Sequence, residues 1–141
     1  MTKVVNIYKD PYKILVCGSR NIRDFEFICS TLDFLISRRD PKSITIIHGA
    51  QKSFDRHLEI NYGADYLVSQ WAESRNIEQT PFPADWDKHG KSAGPIRNSE
   101  MLKQEPDAFV AFFEEGSANR GTTDMVGKLK KKGIQGREYW C

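Results

Sequence analysis

The chain has 141 residues, enough for one domain with a real core. Its 39% hydrophobic and 28% charged residues are those of an ordinary soluble globule. A net charge of +2 makes neither a nucleic-acid footprint nor a membrane patch, so neither is an expected partner.

Residues 1–12 read as a polar lead-in without the long apolar stretch of a signal peptide. KILVCG, at 13–18, is a continuous apolar run closed by glycine, as in a strand buried on both faces. Phe25, Ile28, Leu32, Leu35 and Ile36 then recur at helical spacing, with Asp24 placed as the cap. SITIIH, at 43–48, is short and β-branched, a second strand. A polar stretch at 51–62 precedes a second helix around Leu67, Val68, Trp71 and Ala72. Residues 77–82 make a weaker strand and 83–94 a loop, and Pro95 sits in the first turn of a third helix reaching Gln104.

Residues 107–113 form the next buried strand, whose AFVAFF run is too short to cross a bilayer. Met125, Val126 and Leu129 mark a fourth helix with Gly133 as its left-handed stop, and 134–139 an edge strand. Cys17, Cys29 and Cys141 form an odd set without metal or redox spacing. Cys17 lies in an apolar run, where a thiol behaves as a small hydrophobe. The expected setting is therefore reducing and cytoplasmic, with no metal site and no cofactor.

Strands alternating with helices at this spacing predict right-handed βαβ units. The expected fold is α/β: a doubly wound parallel sheet of about five strands, order 3-2-1-4-5, with helices on both faces. One domain would span 13–141. In such sheets ligands bind beyond the carboxyl ends of the strands, where the order reverses. Here that point falls between the first and fourth strands, which exit into Gly18-Ser19-Arg20 and EEGSANRGTTD, residues 114–124.

Gly116-Ser117 and Gly121-Thr122-Thr123 stand at the mouth of a strand–helix turn. Free N–H groups and glycine suit an anion there, although an ordinary connection capped by Thr122 or Thr123 has the same pattern. Arg20, Arg97 or Arg120 would add charge to a phosphate site, a carboxylate would hold ribose hydroxyls, and Trp86 would stack on a base. Trp86 equally fits a loop anchor, and His48 a capped core histidine. A cation at Arg97, near a helix N-terminus, is unfavourable unless an anion is near. No zinc or Ser/His/Asp arrangement is visible, and Gly-x-Gly-x-x-Gly does not occur.

KILVCGSR, HGA, GADYLVSQWA, FPADWDKHGKSAGPIRNSEML, AFVAFF and GSANRGTTDM together resemble the SLOG superfamily, most closely its small YspA-like branch, over about residues 13 to 138. The resemblance implies a Rossmann-like fold that binds or processes nucleotide derivatives, ADP-ribose-related ligands included. Its relatives include the LOG phosphoribohydrolases, which cleave a base from a nucleoside monophosphate, and the DNA-binding protein DprA. Relatives often form dimers or higher oligomers, so a homo-oligomer is expected by resemblance.

The LOG phosphate loop has a form close to Gly-Gly-x-Gly-Thr-x-x-Glu. Gly121-Thr122 match its Gly-Thr, Arg97 matches the catalytic arginine, and Asp124 falls where the acid belongs. Ala118-Asn119-Arg120 replace the double glycine, and the acid is one methylene shorter. Because a ~1 Å displacement of a catalytic group can cost ~100-fold in rate, these departures count against hydrolysis. YspA-like chains usually pass from the glycines after strand two almost directly into Gly-Ala-Asp. Here QKSFDRHLEINY intervenes, an insertion at 51–62 that reads as a lid, a partner surface or a tolerated surface loop.

The expected ligand-binding residues are Gly18, Ser19, Arg20, His48, Gly49, Asp65, Trp86, Arg97, Asn98, Gly116, Ser117, Arg120, Gly121, Thr122 and Thr123. Arg97 and Asp124 would be catalytic if the ligand is hydrolysed. The expected function is recognition of a nucleotide or ADP-ribose-type molecule, a signalling nucleotide among them, by a sensor or sequestering protein. The alternatives are a LOG-like phosphoribohydrolase and, disfavoured by the near-neutral charge, a DprA-like single-strand binder.

Overall fold

A computed structural model describes residues 9–141; most of the expected lead-in lies outside the described residues. Five parallel strands make the central sheet: β1 (Tyr12–Gly18), β2 (Ile44–His48), β5 (Glu78–Pro81), β6 (Ala108–Phe113) and β7 (Gly136–Trp140). Their order across the sheet is β5-β2-β1-β6-β7, so the chain winds outward from β1 in both directions, as the sequence predicts. The helices are α1 (Phe25–Leu35), α2 (Ala64–Ser74), the single-turn α3 (Trp86–His89), α4 (Ala93–Leu102) and α5 (Arg120–Lys131).

Alternation along the strands divides the core in two. Ile14, Val16, Ile44, Ile46, Val110 and Phe112 face one side, where Ile28 and Leu32 of α1 and Leu67, Val68 and Trp71 of α2 cover them. Leu15, Cys17, Ile47, Phe109 and Ala111 face the other, under Met101 of α4 and Met125, Val126 and Leu129 of α5. Strands covered on both faces need no polar alternation, which is why their sequences are unbroken apolar runs. Among the described residues, no helix is long and apolar enough to cross a membrane.

Local signals act where expected. The Asp24 carboxylate accepts from the Phe27 N–H at 3.0 Å and caps α1. Gly133 ends α5 with φ 77°, a left-handed conformation that costs glycine little. Gly18 serves packing: a Cβ there would lie 2.6 Å from Ala64 Cβ and 2.8 Å from the Phe112 carbonyl oxygen. Its bare α-carbon lets the start of α2 close onto the end of β1.

The polar insertion at 51–62, to which the sequence pattern assigned no element, contains a small antiparallel hairpin, β3 (Ser53–Asp55) paired with β4 (Ile60–Tyr62). It adds no residue to either core cluster. Instead it braces the loop leaving β1. Ser53 Oγ donates to the Arg20 carbonyl at 2.9 Å, Arg23 pairs with Asp55 at 2.9 Å, and the Arg23 guanidinium lies 3.8 Å from the Tyr62 ring centre. Replacing 52–61 by a short glycine linker should therefore leave the fold intact but free the Arg20 loop and change ligand affinity. Unaltered binding with an unaltered melting curve would show the hairpin to be passive.

Candidate functional site

The reversal of strand order between β1 and β6 opens a cleft of about 270 Å³ at the carboxyl ends of the strands. One wall is the β1 exit, Gly18 to Asn21, and another the α5 approach, Ser117 to Thr122. Arg97 and Asn98 of α4, with Gly49, Gln51 and Asp65, close the remaining side, and Cys17, Met101 and Met125 form an apolar floor.

Of the predicted residues, the fold brings Gly18, Ser19, Arg20, Gly49, Asp65, Arg97, Asn98, Ser117, Arg120, Gly121 and Thr122 into this cleft. It does not bring Gly116, Thr123, His48, Trp86 or Asp124 to its lining. His48, the last residue of β2, is buried, its Nδ1 accepting from the Ala50 N–H at 3.0 Å and its Nε2 facing Gln79 Oε1 at 2.9 Å. Both ring nitrogens are thereby spent, as in a capped core histidine. Trp86 begins α3 and folds back on α4, its ring edge within 3.5 Å of where a Cβ on Gly94 would stand. Asp124 lies on the first turns of α5, held by Lys128 Nζ at 2.6 Å and Asn98 Nδ2 at 3.0 Å.

The α5 approach is set by Asn119, the cap that sequence reasoning assigned to Thr122 or Thr123. Asn119 adopts φ 51°, which asparagine tolerates better than most residues. Its side chain accepts from the Glu114 N–H and donates to the Glu114 and Ser117 carbonyls, closing the loop on itself. Helix α5 thus starts at Arg120 with Gly121 in its first turn, where a Cβ would meet no atom within 4 Å. The N–H groups of a helix's first turn have no partner within the helix, and a glycine there lets an anion come close to them. The opposite wall is tied down by Ser19, whose Oγ donates to Glu114 Oε2 at 3.1 Å and accepts from the Asn21 N–H at 3.1 Å. If this turn holds an anion, Gly121→Val should abolish anion binding while leaving the melting curve nearly unchanged. Retained affinity would remove this turn from the site.

Arg97 is the cation set deepest. Its Nη1 donates to the Gly49 carbonyl at 2.6 Å and its Nε to Asn98 Oδ1 at 3.0 Å. Gly49 has to be glycine for this, since a Cβ would overlap the guanidinium and come within 2.9 Å of Asp65 Oδ2. Asn98, itself buried, passes the constraint on by donating to the Gly121 carbonyl at 3.2 Å and to Asp124. The arginine and the first turn of α5 are therefore positioned by one side chain.

Burial pushes the Asp65 carboxyl above the usual carboxylate range, opposed by His48, the Gln51 N–H, Arg97 and the Gly49 N–H. Burial lowers the Arg97 pKa, Asp65 raises it, and the like charge of Arg20 lowers it again. The guanidinium stays protonated at any physiological pH. Burial also raises the Cys17 thiol, so the floor offers no thiolate nucleophile. Gln51 escaped sequence reasoning, although its place just past a strand end was a signal. Cys17, Met101 and Met125 also went unassigned, because core-facing apolar residues carry no mark of lining a cleft.

A doubly wound parallel sheet with a polar cleft at its switch point defines a Rossmann-like α/β protein. Within that class the match is to the YspA, cpYpsA-related SLOG family, over residues 12–60. The gene 61 protein of Mycobacterium phage D29 is 30% identical over 127 residues, covering 86% of this chain and 91% of that protein. The chain belongs to the YspA, cpYpsA-related SLOG family. Two crystal structures of the C-terminal domain of a Pyrococcus furiosus hydrogenase are also similar to it. One is 13% identical with a TM-score of 0.49, covering 96% of this chain and 94% of that one. The other is 14% identical with a TM-score of 0.44, covering 99% and 98%.

Proposed function

We propose that the chain binds a phosphate-bearing nucleotide, of the mononucleotide or ADP-ribose type, in this cleft, as a sensor or sequestering protein. The observation that carries the reading is the cleft's unbalanced charge. Arg20, Arg97 and Arg120 all line it, and among the described residues none of them forms an ion pair with a carboxylate. Like charges brought together beside an open helix N-terminus are costly unless an anion joins them. Phosphate oxygens meet that need through charge-assisted hydrogen bonds. Asp65 supplies the carboxylate that accepts from ribose hydroxyls.

Binding is favoured over hydrolysis because Asp124 is engaged by Lys128 and Asn98 outside the lining. A group tied to a cation four residues along its own helix is poorly placed to stabilise an oxocarbenium-like sugar. Incubation with AMP, followed by chromatography for free adenine, tests this. The expected result is no release above a protein-free control, and an affinity for AMP and ADP-ribose that Asp124→Asn changes little. Adenine release that disappears in Asp124→Asn would establish the phosphoribohydrolase instead. Absence of any calorimetric signal with both nucleotides would overturn the binding reading.

A further inference from the structure

Asp124 stands outside the lining of the cleft, yet one side chain joins it to the deepest cation there. Its Oδ2 accepts from Asn98 Nδ2 at 3.0 Å and from Lys128 Nζ at 2.6 Å. The same Asn98 nitrogen donates to the Gly121 carbonyl at 3.2 Å, and the same Lys128 ammonium to the Pro95 carbonyl at 3.3 Å. At its other end Asn98 Oδ1 accepts from Arg97 Nε at 3.0 Å.

These neighbours leave the Asn98 amide one orientation. A carboxylate and a carbonyl can only accept, so both hydrogens of Nδ2 are claimed by Asp124 and Gly121. A guanidinium can only donate, so the amide oxygen has to face Arg97. A turned amide would set oxygen against two oxygens and N–H against N–H. Asn98 is 4% exposed, so water is not at hand to replace a lost partner.

We infer that Asp124 is a positioning residue of the anion site, acting through Asn98 to hold the Arg97 guanidinium in the orientation that meets a phosphate. It is not itself a ligand contact. Of the two acceptors behind Asn98, the Gly121 carbonyl is neutral and the more distant. Asp124 is the stronger anchor, being charged and fixed in turn by Lys128 one turn further along α5. Through Pro95, Lys128 also grips the first turn of α4. The helix that carries Arg97 and the helix whose N-terminus opens on the cleft therefore meet at this carboxylate. What Asp124 supplies is an acceptor in a fixed place, which an amide oxygen can also supply.

This inference rests on the nucleotide-binding reading, and part of its test needs no ligand. The wild-type chain is compared with Asp124→Leu, which removes the acceptor, and with Asp124→Asn, which keeps one. Asp124→Ala removes it with less risk to folding, and melting curves separate a lost fold from a lost position. Without ligand, the Arg97 Nε–H and the Asn98 side-chain amide should give slowly exchanging magnetic resonance signals in the wild type and Asp124→Asn. In Asp124→Leu and Asp124→Ala those protons should exchange about two- to ten-fold faster, the scale of one hydrogen bond. Calorimetry with AMP should show a loss of affinity of about the same size in these two variants and recovery in Asp124→Asn. Unchanged signals and affinity in Asp124→Leu, or an equal loss in Asp124→Asn, would overturn the positioning role. Failure of the wild type to bind AMP would overturn the nucleotide reading, and the ligand-free signals would then decide the positioning role by themselves.

Discussion

Replacing Arg97 by alanine should lower affinity for ADP-ribose ~10–100-fold, because a hydrogen bond to a charged group contributes ~1.5–3 kcal/mol. The estimate follows from where the side chain lies. Two of its N–H groups are spent on the Gly49 carbonyl and Asn98 Oδ1, which fix the guanidinium plane. Its Nη2 makes no hydrogen bond to protein among the described residues, and the residue lines the cleft. A cation already stripped of much of its water and held in place loses little on meeting a phosphate. The melting temperature should change little, since removing the arginine relieves its burial cost while withdrawing only one of the groups that offset the burial of Asp65. Arg97→Lys is the informative control. It keeps the charge but not the planar fork, and should recover only part of the affinity. Full affinity in Arg97→Ala, measured by calorimetry, would move the ligand away from α4.

The largest effect on stability should come from Trp71→Ala. Trp71 is fully buried between α2 and the sheet, and its indole N–H donates to Asp33 Oδ1 of α1 at 2.8 Å. Arg75 grips the same carboxylate at 2.7 and 2.6 Å, so α1 and α2 are pinned to each other at this point. Truncating a buried aromatic costs ~3–5 kcal/mol, against a total stability of ~5–15 kcal/mol. In a domain of this size that lowers the melting temperature by about 10 °C or more. Trp71→Phe keeps most of the volume, loses the Asp33 hydrogen bond, and should cost far less. The Arg75 hydrogen bond holds the Asp33 carboxyl below the usual carboxylate range. The brace is therefore complete at neutral pH and is lost as pH falls and Asp33 takes up a proton. A denaturant midpoint for Trp71→Ala close to that of the wild type would contradict this account of the core.

The fold was legible because its strands are doubly buried. KILVCG, SITIIH and AFVAFF can only be covered from both sides, and the helical spacings between them fix the winding. The hairpin was not legible, because its strands have three residues each and Phe54 and Ile60 point to solvent. Contacts with Arg20 and Arg23 order it, and no local pattern announces them. Gly121, Thr122 and the arginines reached the cleft because strand-exit positions converge by topology alone. Trp86 did not, since an aromatic ring in a polar loop carries no directional signal. The engagement of Asp124 could have been foreseen: Lys128 stands four residues along the same helix, within reach of an ion pair.

The central claim is that a phosphate is held by the first turn of α5 and the cleft arginines. Its most direct test is nuclear magnetic resonance of the isotopically labelled chain during titration with ADP-ribose. The amide signals of Arg120, Gly121 and Thr122 and the Nε–H signal of Arg97 should shift together and saturate at one ligand per chain. Shifts confined to other surfaces, such as the exposed edge at β7, or none at saturating ligand, would contradict the claim.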